Sequence, residues 1–112
     1  MAFTQEELPA IEALMRQLCL DLATAHAARG LGFGFEVERL SVIIIAARPD
    51  PPPAVTFRHW RVAKFRYYRS RGGWELYWMD VPDRWEYFDG PFKRLSTLAR
   101  RVLDDTEGYF VG

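Results

Sequence analysis

The chain is predicted to fold as an α+β domain: an N-terminal helix, a five-stranded antiparallel meander-like sheet, and a C-terminal helix with a short docked tail. Three observations lead there. Apolar residues recur at helical spacing near both ends, alternate with polar ones through the middle, and the alternating segments are separated by turn residues. A length of 112 residues leaves room for one core, so residues 1–112 form a single domain with an expected radius of gyration of about 13 Å. With 49% hydrophobic and 27% charged residues, the chain is neither disordered nor low-complexity. Aromatic residues make up 15%, which points to a core built from large rings.

Helical periodicity runs through residues 4–29, where Ile11, Met15, Leu18, Cys19, Leu22 and His26 lie on one stripe. Thr4 and Glu7 have capping-box spacing, and Pro9 fits the first turn of a helix that starts near Leu8. Gly30 is a natural left-handed cap. Cys19 reads as a small buried hydrophobe and His26 as a hydrogen-bonded helix-end residue.

In the first strand Phe33, Phe35 and Val37 alternate with Gly34, Glu36 and Glu38. A tight turn then leads into residues 41–48, whose Val-Ile-Ile-Ile run predicts a strand covered on both faces. Pro51, Pro52 and Pro53 form a stiff spacer rather than a polyproline ligand. A long strand follows over residues 55–69, with Ala63, Phe65 and Tyr67 inward and Val62, Lys64, Arg66 and Tyr68 outward. After the turn at residues 70–73, Trp74, Leu76 and Trp78 face the core. Closing the hairpin with Arg69 opposite Trp74 sets Tyr67 against Leu76 and Phe65 against Trp78. It also sets Glu75 opposite Tyr68 and diagonal to Arg66. Trp85 and Tyr87 continue the inward set on a last strand, which Asp89-Gly90-Pro91 stops. Leu95, Leu98, Ala99, Val102 and Leu103 mark the second helix, with Ser96, Thr97 or the Gly90-Pro91 pair as its cap. Tyr109-Phe110-Val111 should dock on the sheet.

Fifteen basic and fifteen acidic side chains cancel, but they are segregated. Residues 58–71 carry Arg58, Arg61, Lys64, Arg66, Arg69 and Arg71 and no acid, whereas residues 72–90 carry Glu75, Asp80, Asp83, Glu86 and Asp89 against one arginine. Interleaved with Trp60, Tyr67 and Tyr68, the basic strand has the chemistry of a single-stranded nucleic-acid platform, with Arg58, Arg61, Lys64, Arg66, Tyr68, Arg69 and Arg71 as contacts. The acidic neighbour strand and a pI near 6.7 favour intramolecular pairing instead. The tip formed by Arg69 and Arg71 is the part that Glu75 alone cannot neutralise.

No catalytic constellation stands out. One cysteine and two histidines leave no cysteine-based zinc site, and the Gly30–Gly34 glycines follow a helix rather than a strand, so they make no dinucleotide loop. The reading is therefore a small cytosolic binding or protein-interaction module without a cofactor, in which Tyr68, Tyr77 and Met79 form an aromatic-rich outer face. A homodimer through a sheet edge or the apolar Ile43–Ile45 region belongs to this reading. The first alternative is a single-stranded nucleic-acid binder using residues 58–71. The second is a small enzyme using His59 with a carboxylate. The acidic N-terminus has no signal-peptide character, and no apolar run is long enough for a membrane span, so a cytoplasmic location without membrane contact is expected.

The order of motifs resembles domain-of-unknown-function family 3024, a family of short bacterial proteins. The resemblance rests on Ser41-Val42 with Arg48-Pro49, Val62-Ala63-Lys64 with Tyr67, and Trp74-Glu75-Leu76-Tyr77-Trp78. It continues through Trp85 and Tyr87 to Asp104-Asp105 and the closing Gly108-Tyr109-Phe110-Val111-Gly112. It implies one compact domain and no known activity. Members often carry a histidine where Glu86 stands and a cysteine where Tyr109 stands, so no histidine or cysteine chemistry carries over.

Overall fold

A computed structural model describes residues 1–111 and has the expected α+β architecture. Helix α1 (Leu8–Ala25) is followed by a 3-10 turn (Ala27–Arg29) and by strands β1 (Gly32–Glu38), β2 (Ser41–Pro49), β3 (Phe57–Tyr68), β4 (Gly73–Val81) and β5 (Arg84–Phe92). Helix α2 (Leu95–Asp104) closes the order. All neighbouring strands are antiparallel, in the spatial order β1-β2-β3-β4-β5. The sheet is an open meander with β1 and β5 as its edges, not a closed barrel. Both helices lie on one face, α1 over the β1 side and α2 over β3 to β5. The β2–β3 hairpin runs out beyond them, so the molecule is 49 Å long and its radius of gyration, 14.3 Å, exceeds that of a sphere-like domain of this size.

The helix signals act as expected. The Thr4 amide donates to Glu7 Oε1 at 2.8 Å and the Glu7 amide to Thr4 Oγ1 at 3.2 Å, a reciprocal capping box one turn ahead of Pro9. Gly30 takes the left-handed conformation after the 3-10 turn. Ile11, Met15, Leu18, Cys19 and Leu22 are buried. For α2 the cap position is Arg94, with no side-chain cap at all, so neither Ser96, Thr97 nor Gly90-Pro91 plays that role. The tail docks as expected. Asp105 takes positive φ after α2, and its carboxylate accepts the amides of Phe110 and Val111, which are both buried. Tyr109 lies edge-on to Trp78 at 4.9 Å. The proline loop is closed by Asp50, which receives the Thr56 hydroxyl at 2.7 Å and donates its amide to the Thr56 carbonyl.

Several strand assignments change. Tyr67 pairs with Trp74, Phe65 with Leu76 and Ala63 with Trp78, two residues away from the register expected from alternation. The Arg71 amide bonds the Tyr68 carbonyl and Gly72 has φ +59°, which tightens the turn and closes the hairpin at Tyr68 and Gly73. A slip of two conserves the faces, so Trp74 and Leu76 remain buried; it also sets Glu75 directly opposite Arg66. Val62 was expected outside but is buried in the core, because it is the extra residue of a bulge between the Ile44–Ala63 and Ile45–Arg61 pairs.

Trp85 and Tyr87 lie outside, not inside. Met79 pairs with Trp85 and Val81 with Arg84, which leaves Asp80 unmatched on β4 and exchanges the faces of β5. Phe88 and Phe92 take the inward places, Phe88 against Phe110 at 5.0 Å. The strand also continues through Gly90-Pro91 to Phe92 rather than stopping there. Gly90 has φ +108°, and a Cβ on it would lie 2.5 Å from the Trp74 carbonyl oxygen. Its amide donates to Asp89 Oδ1 and its carbonyl accepts the Tyr87 hydroxyl.

Candidate functional site

With both helices on one side, the described residues place no second layer on the other side of the sheet. Alternation along β3 and β4 puts Lys64, Arg66, Tyr68, Glu75, Tyr77 and Met79 there, and the irregularities of β5 add Trp85 and Tyr87. On β2 the same face holds Ile43 and Ile45. Ile43 is only 1% exposed between Glu36 and Lys64, so the Ile43–Ile45 region is not an open apolar patch.

Beside the β3–β4 turn the face is tightly bonded. Glu75 is buried yet satisfied: Tyr77 donates to it at 2.7 Å and Arg71 pairs with it at 3.1 Å. With its hydrogen given to Glu75, the Tyr77 oxygen accepts from Tyr68 at 2.9 Å. Burial, reinforced by the bond to Glu75, pushes the Tyr77 phenol well above its ordinary range, so it stays protonated as a donor. The guanidinium groups of Arg66 and Arg71 lie 4.9 and 4.5 Å from the Tyr68 ring. Lys64 Nζ lies 6.0 Å from both the Tyr77 and Trp85 rings.

The basic strand therefore divides into three. Lys64, Arg66, Tyr68 and Arg71 meet on the outer face, with Arg61 beside them. Arg69 turns to the helix side, where it bonds Glu7 at 2.8 and 3.0 Å and the Ala2 carbonyl at 2.9 Å. Arg58 lies opposite Arg48 near the exposed end of the β2–β3 hairpin. The tip formed by Arg69 and Arg71 is thus neutralised by Glu7 and Glu75 together. Among the described residues, Arg61, Lys64 and Arg66 form no ion pair. Burial lowers the Lys64 pKa first, then the charge of Arg66; Arg61 adds to this and Glu38 opposes it. Positive charge is locally in excess there, with β1 supplying an acidic border of Glu36 and Glu38.

His59 is exposed beside Phe57, on the wall of an open cavity of roughly 580 Å³ that Asp80 and Asp83 also line. Asp80 is taken by Arg84, and no carboxylate bonds the His59 ring among the described residues. Among those residues no three His, Cys, Asp or Glu side chains converge where a metal ion would fit. No helix among them is long and apolar enough to cross a membrane.

Trp85 and Tyr87 are the residues that alternation misplaced, because the unmatched Asp80 leaves no mark in the sequence. The Glu7 partner of Arg69 lies 62 positions away and has no sequence signature.

These features define a small α+β domain with an open five-stranded sheet, one face under helices and the other a bare aromatic and cationic surface. The chain belongs to the family described as domain of unknown function DUF3024, whose model matches residues 3–112. No curated protein and no solved structure matches it significantly.

Proposed function

We propose that the domain is a protein-binding module and that the uncovered face of β3, β4 and β5 is its recognition surface. The observation that carries this is the placement of Trp85 and Tyr87 on that face beside Tyr77, Met79 and Arg66. Trp, Tyr, Met and Arg are the side chains enriched at the centres of protein interfaces. Tyr87 is 55% exposed and stands edge-on to Tyr77 at 6.2 Å. The bonds from Tyr77 to Glu75 and Tyr68 fix the Tyr77 and Tyr68 rings before a partner arrives, which lowers the entropy lost on binding. Zero formal charge and an acidic border suit a partner protein better than a polyanion.

A single-stranded nucleic acid is the second reading, favoured by the unpaired cations Arg61, Lys64 and Arg66 next to the Trp85 and Tyr77 rings. One experiment separates the two. A photo-crosslinking residue at position 87 should capture a discrete protein in the native cell, Lys64→Ala should abolish the adduct, and a crosslinker at Arg100 on the helix side should give none. Labelled oligonucleotides should show no binding at low salt. Oligonucleotide binding that falls steeply with salt and is lost in Arg66→Ala would replace the first reading by the second. The same adducts from positions 87 and 100 would remove the outer face from consideration.

A further inference from the structure

The two edges of the sheet are built differently. Strand β5 is blunted by three register irregularities against β4 and carries Pro91, devices that discourage strand addition. Strand β1 pairs with β2 without a break over all seven residues and carries no proline, lysine or bulge. Among the described residues its far row of backbone N–H and C=O groups meets no strand. Along it runs a mostly apolar slot of roughly 540 Å³, walled by Arg16, Cys19, Leu20 and Ala23 of α1 and by the β1 backbone and rings at residues 32–35. Leu20, on the α1 wall, is 63% exposed, and Val37 farther along β1 is also exposed.

We infer that the β1 edge is the site of self-association, with the β1 strand of a second copy as its occupant. The strand is complementary to itself when read antiparallel about Phe35. Glu36 then faces Gly34 of the other copy, Glu38 faces Gly32, and Phe33 faces Val37. Glycines thus stand opposite both acids, and every apolar residue meets an apolar one on the same sheet face. Gly34 presents open space to the incoming glutamate, since a Cβ there would touch nothing within 4 Å. Moving the centre to Val37 would set Glu36 against Glu38, so charge disfavours that register. A two-fold contact of this kind is isologous: it joins two five-stranded sheets into one of ten and brings both α1 helices side by side over the join, where the two Leu20 side chains leave water. The surface is distinct from the outer face of β3 to β5, so this inference stands apart from the protein-binding reading.

Sedimentation equilibrium from low micromolar to millimolar concentration should show a species of twice the 13.1 kDa chain mass. Leu20→Lys and Val37→Lys, both at exposed positions, should each weaken the dimer by about tenfold or more, because the first puts an ammonium group in the slot and the second sets one against Phe33 of the other copy. Hydrogen exchange of the β1 amides should slow as the wild-type concentration rises and should not slow in Leu20→Lys. A wild-type chain that stays monomeric over the whole range would overturn the inference, including the case in which the slot is filled only by an extended segment of another protein. So would a dimer that neither substitution weakens and whose β1 amides exchange at monomer rates.

Discussion

Gly90→Ala should be among the most damaging single substitutions in the sheet. The residue has φ +108°, where an L side chain is strained, and its new methyl would lie 2.5 Å from the Trp74 carbonyl oxygen and 3.0 Å from Glu75 Cα. The conformation alone costs about 1–3 kcal/mol. Neither backbone neighbour can withdraw freely, because Trp74 is buried between Phe3, stacked at 5.5 Å, and its cross-strand partner Tyr67. Prising β5 from β4 to admit the methyl adds roughly 1–3 kcal/mol, as overpacking does. The total, about 2–6 kcal/mol, is a large share of the roughly 5–15 kcal/mol that holds a domain of this kind together. At about 4 °C per kcal/mol the melting temperature should fall by about 8–24 °C. Gly72→Ala is the control: Gly72 has φ +59° but nothing within 4 Å of its Cβ position, so only the left-handed penalty of about 1 kcal/mol applies. Urea unfolding followed by tryptophan fluorescence measures both. If the two substitutions cost the same within about 1 kcal/mol, the close approach of β5 to Trp74 is not what selects glycine at position 90.

Acid should weaken the tie between the N-terminus and the β3–β4 turn. Hydrogen bonds from Arg69 and Thr4 hold the Glu7 carboxyl at about 2 rather than the ordinary 4.5, so its contribution is whole above 4.5 and drains away as pH falls towards 2. Urea midpoints of wild type and Glu7→Gln should differ above that window and converge through it; a constant difference would refute the assignment. Asp105→Ala removes the acceptor of the Phe110 and Val111 amides and should cost about 2 kcal/mol while freeing the tail amides to exchange; Asp105→Asn, which keeps one acceptor, should cost less. Burial pushes the Cys19 thiol up to about 11, so a disulfide-exchange reagent at mildly alkaline pH should label the folded protein far more slowly than the urea-unfolded chain. Equal rates would contradict that burial.

Much of the architecture was legible because most of it follows from short-range rules. The stripe from Ile11 to Leu22, the Thr4–Glu7 box, the left-handed Gly30 and the closing apolar tail each involve residues within a turn or two of one another, and each is found where those rules place it. The β3–β4 register was harder: alternation cannot distinguish Tyr67–Trp74 from Tyr67–Leu76, since both keep the same rings inside. Parity itself failed at Val62 and Asp80, where one unmatched residue per strand reverses the faces. That second reversal hid the outer surface, because it carries Trp85 and Tyr87 out of the core and admits Phe88 and Phe92 in their place. The division of the basic segment was hidden for another reason. Glu7 neutralises Arg69 from the far end of the chain, whereas Lys64 and Arg66, for which the acidic strand that follows offers ion-pair partners in the linear charge pattern, face rings instead.

The bulge at Val62 bears on how chain length can vary in this fold. Upstream of it, Arg61 pairs with Ile45 and Trp60 with Ala46; downstream, Ala63 pairs with Ile44. Excising Val62 would join two stretches that are already in step with β2, at the expense of one buried valine and the local bend. Removing Ala63 would do the same with Val62 in its place, whereas a cut farther along β3 would turn the residues between it and the bulge onto the opposite face. Relatives with β3 one residue shorter should therefore have lost it at this bulge.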